Sequence, residues 1–202
     1  MIKSLMKCFF LGLLLVSTNL MSQSEITKQS NNEVGGDFTL TDQNNKKFEL
    51  KQLRGKLVLI FFGYTYCPDI CPTELSSVAY VLRALKDDAK KVQGLFVSID
   101  PERDTPEKLK QYVPYFSPDL LGLTGSLAEV NKVADAYHVQ RRIHPHKSSD
   151  KNYLVDHSAN LYVISPEGKV IHIIPFGLPV EHIQDIVNEE IKKIFKNDKE
   201  KV

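Results

Sequence analysis

Two cysteines, Cys67 and Cys71, are the residues of this sequence best suited to carry chemistry. They lie in the stretch Tyr64–Pro72, which follows the apolar run Leu57–Phe62 and precedes a predicted helix. Backbone N–H groups and the dipole at a helix start favour a thiolate over a thiol. We therefore predict that both sulfurs are reactive or bind a metal. The alternative is a stabilising disulfide, although closing so short a loop contributes little.

Among the six histidines, His157 is the best candidate for a third partner. It lies just before the predicted strand Leu161–Ile164, from which it could approach the cysteine loop. A lone histidine near a strand is more often a structural core residue, so the argument for a ligand depends on the paired cysteines. The remaining histidines carry weaker signals: His172 as a half-buried edge residue, His138 and His182 at helix ends, and His144 and His146 in a basic loop, Arg141–Lys147, that is solvated, a mobile flap or a second metal site.

Two thiolates and one imidazole form a soft set of donor atoms. Such a set suits Cu(I), for which three ligands suffice, and binds Cu(II) tightly when an oxygen completes the shell. Zinc would need a fourth ligand. Asp69 and Asp156 are the nearest carboxylates in sequence, but we assign neither as a ligand because Asp69 also fits a charge favoured by the helix dipole. We therefore expect one copper ion on the two cysteines and His157.

The elements that must position these residues alternate as in an α/β sandwich with a mostly parallel central sheet and an antiparallel edge hairpin. Ligands in such sheets bind beyond the carboxyl ends of the strands, where the cysteine stretch lies. The predicted order is a small N-terminal hairpin (Phe38–Thr41 and Lys47–Leu50), a buried strand (Leu57–Phe62), a helix (Pro72–Lys86), a strand (Leu95–Ile99), two helices (Thr105–Phe116 and Ser126–Tyr137), a hairpin (Leu161–Ile164 and Val170–Ile174) and a helix (Val180–Phe195).

The length of the chain favours one globular domain, and its first residues favour export. The chain has 202 residues with 26 basic and 25 acidic side chains, so no basic face predicts nucleic-acid binding. Residues 1–24 combine early lysines, a short apolar run and small residues at a cleavage position, which predicts a secretory signal or, as the alternative, a short membrane anchor. We expect a flexible linker over 25–36, the folded domain over 37–196 and a charged tail over 197–202, with the protein periplasmic, either soluble or tethered to the outer face of the inner membrane.

Three motifs resemble the Sco/SenC family of copper proteins: Thr65–Pro72, Asp100–Pro106 and Asp156–Ser158, the last followed by Tyr162 and Pro166–Gly168. The resemblance covers about residues 38–195. It implies a thioredoxin-like sandwich with an added hairpin and copper ligands at Cys67, Cys71 and His157. It also implies a role in assembling cytochrome c oxidase, by delivering copper to the CuA centre of the second subunit or by reducing that centre's cysteines.

Three functions remain open at this point. The first is a copper chaperone that exchanges its ion with another copper donor or acceptor protein. The second is a thiol-disulfide oxidoreductase in which Cys67 and Cys71 are the redox-active pair. Three residues separate these cysteines, whereas oxidoreductases of this fold usually have two and place a cis-proline opposite, where Asp156–Ser158 stands here. A peroxide-reducing or redox-sensing protein is the third and weakest.

We predict a structural role for Asp100–Pro106, in which Asp104 or Thr105 caps a helix and Arg103 pairs with a carboxylate.

Overall fold

The computed structural model describes residues 33–144 and 153–195. The predicted leader (1–24), most of the predicted linker (25–36), His146 and the predicted tail (197–202) lie outside these ranges. At the start of the described chain, the Gly35 N–H donates to the Ala136 carbonyl at 2.7 Å and the Tyr137 hydroxyl donates to the Gly36 carbonyl at 3.1 Å. Residues 35 and 36 are therefore attached to the folded domain.

Strands and helices alternate along the described residues, largely in the predicted order. The strands are β1 (Thr39–Asp42), β2 (Lys47–Glu49), β3 (Leu57–Gly63), β4 (Val92–Ser98), β5 (Leu120–Thr124), β6 (Arg141–His144), β7 (Leu154–His157), β8 (Leu161–Ile164) and β9 (Val170–Ile174). The helices are α1 (Ile70–Ala84), α2 (Pro106–Tyr112), α3 (Leu127–Ala136) and α4 (Val180–Phe195). Thr105 caps α2 and Ser126 caps α3 through a capping box with Glu129, as their positions before apolar helical patterns favour.

Seven strands form one sheet in the order β2-β1-β5-β4-β3-β8-β9. The three central strands β5, β4 and β3 are parallel, while the β1–β2 and β8–β9 hairpins form antiparallel margins. Every residue of β3 is buried, because its uninterrupted apolar sequence is covered on both faces. This arrangement confirms the predicted thioredoxin-like α/β sandwich with an edge hairpin and an added N-terminal hairpin.

The side chains of β3 alternate between the two faces of the sheet, because successive residues of a strand point to opposite faces. Phe62 packs against Tyr137 and Tyr162 on one face, with ring centroids 5.3 and 5.6 Å away. Phe61 packs against Phe96 at 6.4 Å on the other face. Because Gly63 follows Phe61 by two residues, it shares that second face, and the carboxyl end of β3 opens there towards the cysteine loop.

Two strands differ from the prediction and form a separate hairpin. Residues 141–144, predicted as the start of a basic loop, instead form β6 and pair antiparallel with β7, with Arg141 opposite His157 and His144 opposite Leu154. The loop prediction is wrong here. The charged residues of β6 indicate solvent exposure but do not reveal a strand, because the segment becomes a strand only by pairing with β7, which lies beyond residue 152. Strand β5 was also absent from the prediction.

Candidate metal centre

The end of β3 and the start of α1 place the two cysteines. Cys71 lies in the first turn of α1 and is 0% exposed, whereas Cys67 is half-buried in the preceding loop. The backbone N–H of Cys71 donates to the Cys67 sulfur at 3.4 Å, so one of the free donors at the helix start points at that sulfur. Local sequence thus determines both positions: a buried strand ends, a short loop follows and a helix begins.

Gly63 provides the space that the Cys71 sulfur occupies. A Cβ atom at Gly63 would lie 2.8 Å from that sulfur, 2.9 Å from a ring carbon of Phe96 and 3.0 Å from a ring carbon of Phe61. These distances are shorter than ordinary van der Waals contacts. The last residue of β3 must therefore lack a side chain for Cys71 to reach its position.

His157 reaches the same place from β7. Its Nε2 atom lies 3.4 Å from the Cys71 sulfur, and its ring packs edge-on against Phe61 and Tyr64 at centroid distances of 6.2 and 6.0 Å. Its Nδ1 atom lies 3.1 Å from the Ser158 carbonyl oxygen, which can only accept a hydrogen bond. With a metal ion bound, Nδ1 would donate to this oxygen and Nε2 would present its lone pair to the ion.

The three predicted ligands come together as one cluster. The donor atoms of Cys67, Cys71 and His157 all lie within 4.8 Å of one another, a spacing that a single metal ion can bridge. Two sulfurs and one imidazole nitrogen match the preference of copper for soft ligands. Within residues 33–144 and 153–195, this is the one group of three or more cysteine, histidine or acidic side chains with metal-binding geometry.

Opposite pKa shifts distinguish the two thiols. The pKa of Cys67 is lowered to about 3, mainly because Cys71 hydrogen-bonds to its sulfur, with further contributions from His157 and backbone N–H groups. The pKa of Cys71 is raised, because its proton is held by Cys67 and because it is buried. The pair therefore consists of one thiolate at Cys67 and one protonated thiol at Cys71.

Neither carboxylate considered as a fourth ligand joins the cluster. Asp69 is exposed at the residue before α1 and makes no side-chain capping bond there. Asp156 is exposed and contacts the His144 ring. Because neighbouring residues of a strand point to opposite faces, Asp156 and His157 project to opposite sides of β7.

The other described histidines lie apart from the two cysteines. His172 is half-exposed on edge strand β9, as predicted, with its Nε2 atom 3.2 Å from a carboxylate oxygen of Glu190. His138 follows α3 with a positive φ of 54°, and His182 is exposed on α4. Residues 33–144 and 153–195 thus bring one histidine, His157, to the cysteines.

Sequence reasoning considered Asp104 only as a possible helix cap and missed that this fully buried carboxylate supports the cysteine loop, while Thr105 is the cap. It accepts hydrogen bonds from the backbone N–H of Thr65 at 3.0 Å, the Thr65 hydroxyl at 2.6 Å and the Ser98 hydroxyl at 2.7 Å. Burial raises its pKa. The predicted structural role of this segment is present, since Thr105 caps α2 and Arg103 pairs with Asp100 at 2.5 Å. An acidic residue directly before the cap was the one signal that could have pointed to Asp104.

None of the helices in the described ranges combines the length and apolar composition needed to cross a bilayer.

Comparison with known proteins places these features in one family. The SCO1/SenC family model matches residues 26–192. A SCO2-like protein of Rickettsia conorii is 39% identical over 163 residues, which cover 80% of this chain and 79% of that protein. The copper-bound structure of Arabidopsis thaliana ScoI is 39% identical, covers 79% of this chain and 99% of that chain, and superposes with a TM-score of 0.73.

A second similar structure is that of BsSco, described as a member of the Sco family of cytochrome c oxidase assembly proteins that contains a disulfide switch. It is 26% identical, with 79% of this chain and 94% of that chain covered and a TM-score of 0.61. Family model, relatives and fold agree over most of the described residues. The chain belongs to the SCO1/SenC family.

Proposed function

We propose that this protein is a copper chaperone that carries one copper ion on Cys67, Cys71 and His157. The observation that carries the proposal is the convergence of these three donor atoms within 4.8 Å. The chemistry of the set supports copper, because three soft ligands satisfy Cu(I) while Zn²⁺ requires a fourth. The copper bound to the structurally similar ScoI adds support.

The acceptor that we propose is the CuA centre in the second subunit of cytochrome c oxidase, or another copper donor or acceptor protein. The family resemblance and the assembly role attributed to BsSco support this choice. We further propose that residues 1–24 export the chain and that residues 37–196 act in the periplasm, either free or tethered to the inner membrane. Sequencing the amino terminus of protein recovered from cell fractions would test this location.

Copper titration of the full chain tests the binding proposal. The reduced protein should bind one equivalent of Cu(I), and His157→Ala should weaken Cu(II) binding strongly while leaving disulfide formation intact. His182→Ala is the matched control, because His182 is exposed on α4 and should have no effect. Equal copper affinity in the His157→Ala variant and in the wild type would refute the assignment of the third ligand.

The opposite pKa shifts of the two thiols favour a second candidate function, a thiol-disulfide oxidoreductase. In that reaction the Cys67 thiolate attacks one sulfur of a partner disulfide, and the partner's other sulfur leaves as a thiolate and takes up a proton. Cys71 then loses its proton and attacks the Cys67 sulfur, which releases the second partner thiol and leaves a Cys67–Cys71 disulfide.

Trapping the intermediate would test this reaction. Cys71→Ser should accumulate a mixed disulfide between Cys67 and a cysteine-containing fragment of the oxidase subunit, because the resolving sulfur is gone. Cys67→Ser should form none. If both variants still reduce the fragment at the wild-type rate, the oxidoreductase function is excluded.

A further inference from the structure

The turn between β4 and α2 contacts both halves of the metal centre. Arg103 is the one basic residue of this turn, and its side chain is only 5% exposed. The Arg103 Nε donates to a carboxylate oxygen of Asp100 at 2.5 Å, and Asp100 is itself 2% exposed. A buried ion pair of this kind is favourable only when further hydrogen bonds satisfy its remaining donors and acceptors.

Arg103 contacts Tyr153, the residue directly before strand β7, which carries His157. Its Nη1 donates to the backbone carbonyl of Tyr153 at 2.8 Å, and its guanidinium carbon lies 3.5 Å from the centre of the Tyr153 ring. The Tyr153 hydroxyl donates to the other carboxylate oxygen of Asp100 at 2.5 Å. Tyr153 directly precedes β7, and His157 is the last residue of that strand.

The hairpin that carries His157 depends on such contacts for its position. In the described part of the chain, β6 and β7 pair with each other and with no strand of the seven-stranded sheet. Two further bonds attach the hairpin: the Val155 N–H donates to the Tyr64 hydroxyl at 3.2 Å, and the Arg141 Nη1 donates to the Ile99 carbonyl at 2.6 Å. The Arg103–Tyr153 contact is the point of attachment at the start of β7.

Asp104, the next residue in the same turn, contacts the cysteine loop, which is the other half of the centre. Its three accepted hydrogen bonds involve Thr65, two residues before Cys67, and Ser98 at the end of β4. We propose that Arg103 is a positioning residue for His157 and Asp104 a positioning residue for the cysteine loop. Arg103 also contributes to the cysteine side, because its guanidinium carbon lies 4.7 Å from the centre of the Tyr66 ring, directly before Cys67. The inference builds on the proposed copper function.

The two roles predict different defects in the full-length protein. Arg103→Met should lower Cu(II) affinity by about 10- to 100-fold and weaken the sulfur-to-Cu(II) charge-transfer band, because the residues that support a ligand typically matter to that extent. Because Arg103 reaches the cysteine loop only through ring contacts, this variant should shift the dithiol–disulfide equilibrium of Cys67 and Cys71 less than Asp104→Asn does. Asp104→Asn should shift that equilibrium as well, because it removes an acceptor from Thr65.

Arg83→Met is the matched control, because Arg83 also donates to a backbone carbonyl, that of Phe116, on an exposed surface. It should change neither copper affinity nor the dithiol equilibrium. Arg103→Lys keeps the charge but loses the planar fork and the stacking on Tyr153, so it should restore the affinity only in part. Tyr153→Phe removes only the hydroxyl bond to Asp100 and keeps both Arg103 contacts, so Arg103→Lys decides the question if Arg103→Met does not fold.

Three outcomes would overturn the assignment: wild-type copper affinity in Arg103→Met or, where that variant is unfolded, in Arg103→Lys; an equal loss in Arg83→Met; or a dithiol equilibrium that shifts as far in Arg103→Met as in Asp104→Asn. A wild-type protein that binds no copper would instead refute the proposed function. The dithiol measurements would still test whether Asp104 positions the cysteine loop.

Discussion

Replacing Gly63 by alanine should damage the metal centre through one displaced atom. The added Cβ would lie 2.8 Å from the Cys71 sulfur, against an ordinary contact distance of about 3.5–4.0 Å. The sulfur would have to move by about 0.7 Å or more to restore that contact. The rings of Phe96 and Phe61 lie 2.9 and 3.0 Å from the same Cβ position, so the strain cannot be relieved by shifting the alanine towards them.

We expect two measurable effects from Gly63→Ala. Overpacking of this kind costs about 1–3 kcal/mol in the free energy of unfolding. Displacing a ligand should also lower copper affinity by about 10-fold or more, the lower limit seen when the support of a ligand is lost. Urea unfolding of the copper-free protein measures the first effect, and competition with a chelator of known Cu(I) affinity measures the second.

Gly94→Ala separates the loss of a ligand position from general destabilisation. Gly94 lies in β4, and its added Cβ would meet side-chain atoms of Leu120 at 2.6 Å and Leu82 at 2.9 Å, with no ligand among these contacts. This variant should lose stability to a similar degree and keep its copper affinity. The reasoning is refuted if Gly63→Ala binds copper as tightly as the wild type, or if both variants lose affinity equally.

Three further predictions concern other groups. Burial raises the pKa of Glu74 from 4.5 to about 7, so its contribution to stability is full below about pH 4.5 and is lost as the pH rises through 7. That pKa difference corresponds to about 3.4 kcal/mol, and we expect about 2 kcal/mol because local relaxation and water penetration reduce the cost of a buried charge. Urea unfolding should show this loss in the wild type and not in Glu74→Gln; a stability difference between them that is constant with pH would contradict it. With its pKa lowered to about 3, Cys67 should react with iodoacetamide at nearly the same rate from pH 5 to 8, as followed by mass spectrometry, while a tenfold acceleration per pH unit would show an ordinary thiol. Ser126→Ala removes the capping box of α3 and should cost about 1 kcal/mol in thermal unfolding without changing copper affinity, and a change in that affinity would count against a purely local role.

Local sequence signals explain why the cysteine half of the centre was predictable. The apolar run of β3, the end of the strand at Gly63 and the helix start near Pro72 are all encoded within a few residues. The sequence indicated that His157 precedes a buried strand, but not that it lies on a hairpin of its own. The reason is that the pairing of β6 with β7 joins residues on either side of 145–152, and a charged strand gives no hydrophobic pattern.

The support of the centre could not be predicted for a related reason. Asp104 contacts Thr65 across 39 residues, and Arg103 contacts Tyr153 across 50. A charged turn before a helix looks the same in sequence whether its side chains are solvated or buried. The distinction arises only when the fold closes around them, and it determines which residues of the turn affect the metal centre.

The three donors are unequally buried, so one side of the centre is closed and the other is open to solvent. Cys71 is fully enclosed by the strand and the helix, whereas Cys67 and His157 are half-open to solvent. An incoming acceptor thiol can therefore approach a carried ion only from the open side, and it would displace Cys67 or His157 before the enclosed sulfur. We therefore expect Cys71 to be the last of the three ligands to release a carried ion, so that the ion would stay attached until the recipient holds it.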